Sequence, residues 1–509
     1  MGVLKDLEQV IGRAGAERSL VKPGHYRRVM CLESGSRQNA SRREALRQAD
    51  LPSQAASGQA ASGQAAEAEI RSENILCLGD NLKLMKGLLE GTEAAEGGRS
   101  LRGKIQMIYI DPPFFSKSDY DAVLSVQGKN IRHKAYQDRW KAGMYGYLRQ
   151  LTARLLCMKD LLAEDGLIFL HLDWHAVHYA KVIMDEIFGE KNFVNEIIWT
   201  YKSGGSTKKR FARKHDNILV YGKSGKYKFR ALQEKSYNRG LKPYRFKGVE
   251  EFEDEIGWYT MVNMKDVWAI DMVGRTSGER TGYATQKPEQ LIRRIMQCST
   301  EEGDLVADFF CGSGTLPRVA LETGRRFIAC DAEELAVEST LGRLHEEMEE
   351  MGEDAPSLSV LSESKPGWES EGKLPPFDCE VEVTEGERTL LEDPPIQIRI
   401  LSVKERRLGS RMDQGDAGFV RKMSRKDPLA LVRSWSIDFQ FDGTVFRPGV
   451  MAVRKGGGLE TVFRLRQLPE NSRIMMRVTD VLGHVVYRDL TKQIRQATGM
   501  PVKKEQMDV

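Results

Sequence analysis

The chain has 509 residues, with 77 Lys or Arg against 73 Asp or Glu, a formal net charge of +4. That length carries two or three domains, and the near-balance of charge by itself names no partner. The seven cysteines include no CxxC pair, the N-terminus lacks an apolar signal core, and no apolar run approaches the roughly 18 residues of a membrane span. A disulfide scaffold, a zinc ribbon, a membrane protein and a secreted protein are therefore disfavoured, and a reducing cytoplasm is expected.

Residues 1–68 read as a flexible tail and linker, with a short helix near Gly2–Gly15. Gln54–Ala66 (QAASGQAASGQAA) repeats small polar residues that bury too little apolar area to offset chain entropy. From 69 to 351 the apolar runs Ile75–Leu78, Ile105–Ile110, Leu167–Leu172, Ile218–Tyr221, Leu305–Phe310 and Phe327–Cys330 alternate with amphipathic stretches. Those stretches are Leu148–Leu162, Val177–Phe188, Pro288–Cys298 and Glu333–Met351. The pattern predicts an α/β unit whose mostly parallel sheet is covered on both faces. Residues 352–377, rich in Ser, Glu, Gly and Pro, read as a second linker. Strand-like runs at Glu380–Val383, Ile396–Val403, Trp435–Phe441, Thr461–Leu465 and Ile474–Thr479 then predict an all-β, sandwich-like accessory domain within 378–509, folding on its own.

Two turns of the α/β region carry chemistry. Asp111-Pro112-Pro113-Phe114 closes the run Ile105–Ile110. Its prolines stiffen the turn and remove two amide donors, so the Asp111 carboxylate and nearby carbonyls face outward as acceptors beside an aromatic face. That set suits a planar substrate bearing an amino group; a plain tight turn is the alternative. Asp308-Phe309-Phe310-Cys311-Gly312-Ser313-Gly314-Thr315 follows the run Leu305–Ala307. Its glycines permit close backbone approach and its amides open a helix. A GxG turn alone is as often structural as ligand-binding, but Asp331 ends the next strand where an acid can accept from ribose hydroxyls. Cys311 reads as structural.

Between these turns, residues 202–247 hold fifteen Lys or Arg against Asp216 and Glu234, a net +13, interleaved with seven aromatics. This is the footprint of a polyphosphate partner, with a solvated loop as the alternative. Lys208, Lys209, Arg210 and Arg213 are the expected phosphate contacts. His215-Asp216 reads as structural or phosphate-contacting rather than as a catalytic dyad, and His171, His175 and His178 do not amount to a metal site.

In order along the chain, NILCLGDNL (74–82), DPPF, LLAEDGLIFLHLD (161–173), DEIFGEKNFVNEIIW (185–199), FARKHDNILVY (211–221), ERTGYATQKPEQLI (279–292) and DFFCGSGT resemble the beta class of DNA amino-methyltransferases. Within that class the resemblance is strongest to the modification subunits of type III restriction systems and their solitary relatives. It covers about 74–350 and implies a permuted, Rossmann-like S-adenosylmethionine-dependent methyltransferase fold, with the catalytic turn preceding the cofactor turn. It implies that Asp308, Gly312 and Gly314 cradle the methionine part of S-adenosylmethionine, Asp331 its ribose and Asp80 its adenine. Ile110 and Phe310 would line the same cleft, Gln286, Lys287 and Pro288 would close it, and Asp111, Pro112, Pro113 and Phe114 would hold the flipped base. Phe114 stands where the family usually has Tyr, Phe309 where it has Pro, and Trp174-His175 replaces an acidic-amide pair.

The implied activity is methylation of the 6-amino group of adenine in double-stranded DNA. Methylation of the cytosine 4-amino group fits the same pocket, and a nucleic-acid-binding protein with a vestigial site is the reading from another class. A restriction subunit or a second copy of the chain is the further partner implied. The reaction requires no metal. The basic insert, taken as 202–265, is short for target recognition, so the C-terminal domain is expected to add DNA contact or partner docking.

Overall fold

Strands apolar on both faces and helices with one apolar stripe close together as a covered sheet. The computed structural model describes residues 7–33, 73–92, 98–126, 129–203, 208–274, 277–369, 374–385, 395–406, 414–455, 458–465 and 472–498. The polar repeat Gln54–Ala66 lies outside them. The first half of the chain runs α1 (Leu7–Leu20), β1 (Arg27–Leu32), β2 (Asn74–Leu78), α2 (Asn81–Glu90), β3 (Ile105–Ile110), β4 (Asp119–Val126), β5 (Lys129–Gln137), α3 (Gly143–Leu161), β6 (Leu162–Leu172), α4 (Val177–Phe188), β7 (Phe193–Thr200), β8 (His215–Gly222), β9 (Gln233–Tyr237), β10 (Phe252–Glu253), β11 (Trp258–Asn263) and β12 (Val267–Ala269). It continues with α5 (Glu289–Ser299), β13 (Leu305–Asp308), α6 (Thr315–Glu322), β14 (Arg326–Asp331), α7 (Glu334–Met351) and β15 (Leu358–Ser362). The C-terminal part holds β16 (Phe377–Glu385), β17 (Ile396–Glu405), α8 (Gln414–Lys426), β18 (Val432–Asp438), β19 (Val450–Val453), β20 (Val462–Leu465), β21 (Met475–Asp480), β22 (Val485–Asp489) and α9 (Thr491–Ala497).

A ten-stranded sheet in the order β1-β15-β2-β14-β13-β3-β6-β8-β7-β12 forms the centre. Strands β15 through β6 run parallel, and β8 runs against them. All six residues of β3 are buried. Ile108 and Ile110 face one core while Met107 and Tyr109 face the other, which is why the strand reads as continuous rather than alternating. The carboxyl ends of the neighbouring strands β2, β14, β13 and β3 bring Asp80, Asp331, Asp308 and Asp111 to one edge, where open α/β sheets hold their ligands.

Three features depart from the domain organisation expected. Residues 7–33 are not a tail. Helix α1 packs on α3, joined by ion pairs of Arg18 with Asp160 and Arg149 with Glu17 (3.1 Å), and β1 extends the central sheet antiparallel to β15. Residues 352–377 are not a linker throughout: β15 is buried along its length and lies between β1 and β2. The C-terminal part is not all β, since it contains α8 and α9, and it does not stand apart. Its two small sheets share a core in which Trp435 stacks on Phe463 (4.1 Å). Phe446 and Met475 nevertheless join the core of the central sheet, and Phe446 N–H donates to Val29 O (3.1 Å). Helix α7 is therefore enclosed from both sides, and its buried Glu338 is matched by the buried Arg477 of β21. A buried charge persists only when paired, so this pair fixes how the two parts meet. Two basic side chains of the C-terminal part, where DNA contact was expected, are paired within the sheet, Lys404 with Glu380 (2.8 Å) and Arg406 with Asp378 (2.6 Å).

Candidate functional site

Of the DPPF turn that follows β3, Asp111 and Pro113 line a cleft of about 250 Å³, while Phe114 packs against the core beside it and Pro112 does not line it. The Lys287 ammonium, itself buried, contacts Asp111 Oδ2 and also donates to Thr285 O (3.2 Å). Asp111 Oδ1 is shut off from solvent and has no hydrogen-bond partner among the described residues. An acceptor held so is costly unless a ligand donates to it. Phe114 stacks on His171 (ring centroids 5.8 Å apart, planes at 29°) and lies 5.4 Å from the Lys287 ammonium. His171 is fully buried: Tyr109 OH lies 2.8 Å from its Nδ1 and Asp216 Oδ2 3.4 Å from its Nε2. Asp216 also accepts from Tyr201 OH (3.0 Å). Burial acts to raise the Asp216 carboxyl, but hydrogen bonding and charge from His171 outweigh it and hold the group below its usual range. His171 and Asp216 thus form the plate behind Phe114, His175 bonds Asp173 (2.7 Å), and His178 is exposed on α4.

The backbone after the turn is forced. Phe115 and Lys117 take φ of 63° and 61°, where a side chain is strained. Asp138, buried just past β5, accepts from Phe115 N–H (3.1 Å) and Ser116 N–H (2.6 Å) and so compensates. Nothing local in YQDRW marks Asp138 as a partner of residues more than twenty positions upstream.

On the facing strand, Asp308 is buried and accepts from Phe310 N–H (3.0 Å); burial pushes its carboxyl well above the usual range. Asp331 accepts from Gly312 N–H (2.9 Å) and Glu333 N–H (3.0 Å), and burial pushes it up to about 6. Gly312 has φ +51° and lines the cleft, with the Tyr283 ring 3.3 Å from where a Cβ would stand. Gly314 has a different reason to be glycine. It caps α6 with φ +77°, and a Cβ there would meet Thr340 Oγ1 of α7 at 2.5 Å, so its constraint is helix packing behind the wall. Ile110 likewise sits in the core under the cleft.

Asp80 lines the cleft, but its Oδ1 already caps α2, accepting from Leu82 N–H (2.8 Å) and Lys83 N–H (3.2 Å). Gln286 is turned onto its own loop: Oε1 accepts from Thr281 N–H (2.9 Å) and Nε2 donates to Glu279 O (2.6 Å). Pro288 caps α5. Asn81 was not anticipated; it donates to Phe309 O (2.7 Å) and accepts from Arg154 Nε (2.7 Å), tying the start of α2 to the glycine turn.

The fifteen basic residues of 202–247 do not form one patch. Beyond β8, Lys223 donates to Leu162 O (2.6 Å), and Lys228 pairs with Glu301 (2.8 Å) and Asp304 (3.3 Å), all at the sheet edge opposite the cleft. Lys235 pairs with Asp254 (2.7 Å). The loop from β7 to β8 does stand at the cleft edge, because Asn217 pairs with Leu172 at the end of β6. Lys208, Lys209, Arg210 and Arg213 are exposed there, with the Arg213 guanidinium 3.4 Å from the Trp174 ring centroid.

Residues 105–341 match the profile of the DNA methylase family. Among curated proteins, the chain is 27% identical over 300 residues to the type II methyltransferase M.EcaI of Enterobacter cloacae, covering 47% of this chain and 64% of that one. It is 25% identical over 267 residues to the DNA adenine methyltransferase YhdJ of Escherichia coli K12, covering 51% of this chain and 82% of that one. It is 24% identical over 375 residues to the Mod subunit of the type III restriction-modification enzyme StyLTI of Salmonella typhimurium, covering 53% and 54%. The chain thus spans from about half to four-fifths of the length of these relatives.

Proposed function

We propose, from the match of residues 105–341 to the DNA methylase family, that the chain transfers a methyl group from S-adenosylmethionine to the 6-amino group of adenine in double-stranded DNA. The single observation that carries the reading is the carboxylate of Asp111, a residue that lines the cleft and whose Oδ1 has no partner among the described residues. The cleft fits the cofactor chemically: acidic acceptors at Asp331 and Asp80 suit hydroxyls and an amino group, and Gly312, having no side chain, leaves room beside the turn. When bound, S-adenosylmethionine supplies an electrophilic methyl on a sulfonium.

An exocyclic amine is a poor nucleophile because its lone pair is spread into the ring. Asp111 Oδ1 would accept one N–H, draw the lone pair back to nitrogen, and stabilise the positive charge that nitrogen gains as its bond to the methyl forms and the methyl–sulfur bond breaks, leaving a neutral thioether; the surplus N–H proton would then pass to the same carboxylate. Lys287 holds the other carboxylate oxygen, so the group cannot rotate away from the base. The flipped base needs a flat receiving face, and Phe114, backed by His171, offers one. No covalent nucleophile enters the reaction, in keeping with seven cysteines that are free and buried.

Adenine is favoured over cytosine by the Asp that opens the catalytic turn and by the naming of one relative as an adenine methyltransferase. Methylation-aware sequencing of host DNA tests this, with methyl on adenine N6 at one recurring sequence as the expected result. N4-methylcytosine there would select the cytosine alternative. A restriction subunit is the partner that the likeness to a Mod subunit adds, and co-purification from the host checks it. The cytoplasm is where such a substrate is met; no described helix is long and apolar enough to cross a membrane.

Two further outcomes follow from the geometry. Asp331 binds ribose as a carboxylate, and burial has raised its proton affinity to a value of about 6. Ligand binding favours the charged form, so affinity for S-adenosylmethionine rises with pH through about 6 and levels off above it. Calorimetric titrations from pH 5 to 8 check this, and an affinity flat across that window would remove Asp331 from the ligand. Replacing Lys208, Lys209, Arg210 and Arg213 together with Ala should weaken binding to all duplex sequences alike. The slope of log affinity against log salt should become shallower by up to about 0.9 for each phosphate that the variant no longer neutralises.

A further inference from the structure

Phe211 is 98% exposed in the segment between β7 and β8, within the run KKRFARK. A lone exposed apolar side chain is ordinary; its setting is not. The loop is closed at its base, where Tyr201 N–H donates to Lys214 O (3.1 Å) and Lys214 Nζ to Ser203 Oγ (2.8 Å), and Arg213 is braced on Trp174. Phe211 therefore stands only three residues from a fixed stem. Five residues on from Phe211 is Asp216, which contacts His171, which stacks on Phe114. Five residues span at most about 17 Å, which bounds how far Phe211 stands from the plate behind Phe114.

We propose that Phe211 is the wedge that enters the duplex stack as the target base leaves it, flanked by cations that hold the backbone on either side. The inference rests on the reading of the chain as a DNA methylase that flips its base. Flipping leaves a gap in the stack, and an inserted apolar side chain offsets the lost stacking. Phe114 is committed to the extruded base. Trp174 is already stacked, with Arg213 over its ring and the His175 ring 3.7 Å away. Tyr244 and Phe246 pack on each other (5.3 Å). Phe211 has a free ring between phosphate-binding charges, and only a nucleic acid presents phosphates and a π-stack together.

The test compares Phe211→Ala and Phe211→Trp with the wild-type chain in single-turnover methylation of two duplexes carrying the mapped site. One has the target paired, and the other has it opposite an abasic position, so that little flipping work remains. Phe211→Ala should slow the paired duplex by roughly tenfold or more and leave the abasic duplex within about threefold of wild type, because the wedge acts on unstacking alone. Phe211→Trp should restore the paired rate. Equal slowing on both duplexes, or none on either, overturns the proposal. If the wild-type chain methylates neither duplex, the methylase reading fails instead.

Discussion

Asp111→Ala should lower the single-turnover rate of methyl transfer by roughly a thousandfold while cofactor affinity stays within a few-fold. The magnitude follows from removing a fixed electrostatic partner of developing charge inside a dry site. Substitution by Ala also strands the Lys287 ammonium, which is buried and has Asp111 as its anionic contact. Losing the counter-ion destabilises in either variant, but Asp111→Asn is the cleaner one: it gives up the charge while keeping the shape of the carboxylate and an oxygen that the Lys287 ammonium can still bond. Calorimetry with S-adenosylmethionine shows whether the cleft is intact, and radiolabelled methyl transfer to duplex DNA reads the chemistry. Near-normal turnover of the Asn variant would sink the role given to Oδ1.

Ending the chain after Met351 should abolish cofactor binding, not merely alter DNA affinity as an independent C-terminal domain would require. The cut removes β15, which pairs with β2 on one side and β1 on the other, so Arg27–Leu32 loses its place in the sheet. It also removes Val420, Leu431, Val481 and Leu482, which pack in one cluster with Leu335 and with Ala122, Ile131 and Ala135 of the β4–β5 hairpin. Tyr283 and Ala284, which line the cleft, pack against that same cluster. Each large apolar side chain laid bare costs roughly 1.5–3 kcal/mol, and a whole domain has a net stability of only about 5–15 kcal/mol. Thermal unfolding and calorimetry of the shortened chain decide the matter. A cooperative transition with intact cofactor affinity would restore the picture of a separate domain.

Much of the cleft was legible because its signals are local. DPPF and the Asp308–Thr315 turn each follow a continuous apolar strand, and the run Val177–Phe188 matches α4 residue for residue. What stayed hidden depends on contacts between distant residues. Strand β15 reads as part of a Ser- and Glu-rich stretch because only five residues carry it, and its partners lie far back in the chain. The Asp138 brace and the His171–Asp216 plate join residues 22 to 45 positions apart, with no spacing rule to betray them. Summed charge over 202–247 overstated one surface, because antiparallel β8 carries its two flanks to opposite edges of the sheet.

The pairing of β1 with β15 also governs when the protein can finish folding. Met30 and Val360 are register partners, so the N-terminal edge strand emerges from the ribosome and must wait while some three hundred residues are made. At about 5–20 residues per second that wait is on the order of tens of seconds. Over that time an apolar strand with open hydrogen-bonding groups is exposed to other chains. Loss of soluble yield, more than loss of specific activity, is therefore the expected cost of weakening this one seam.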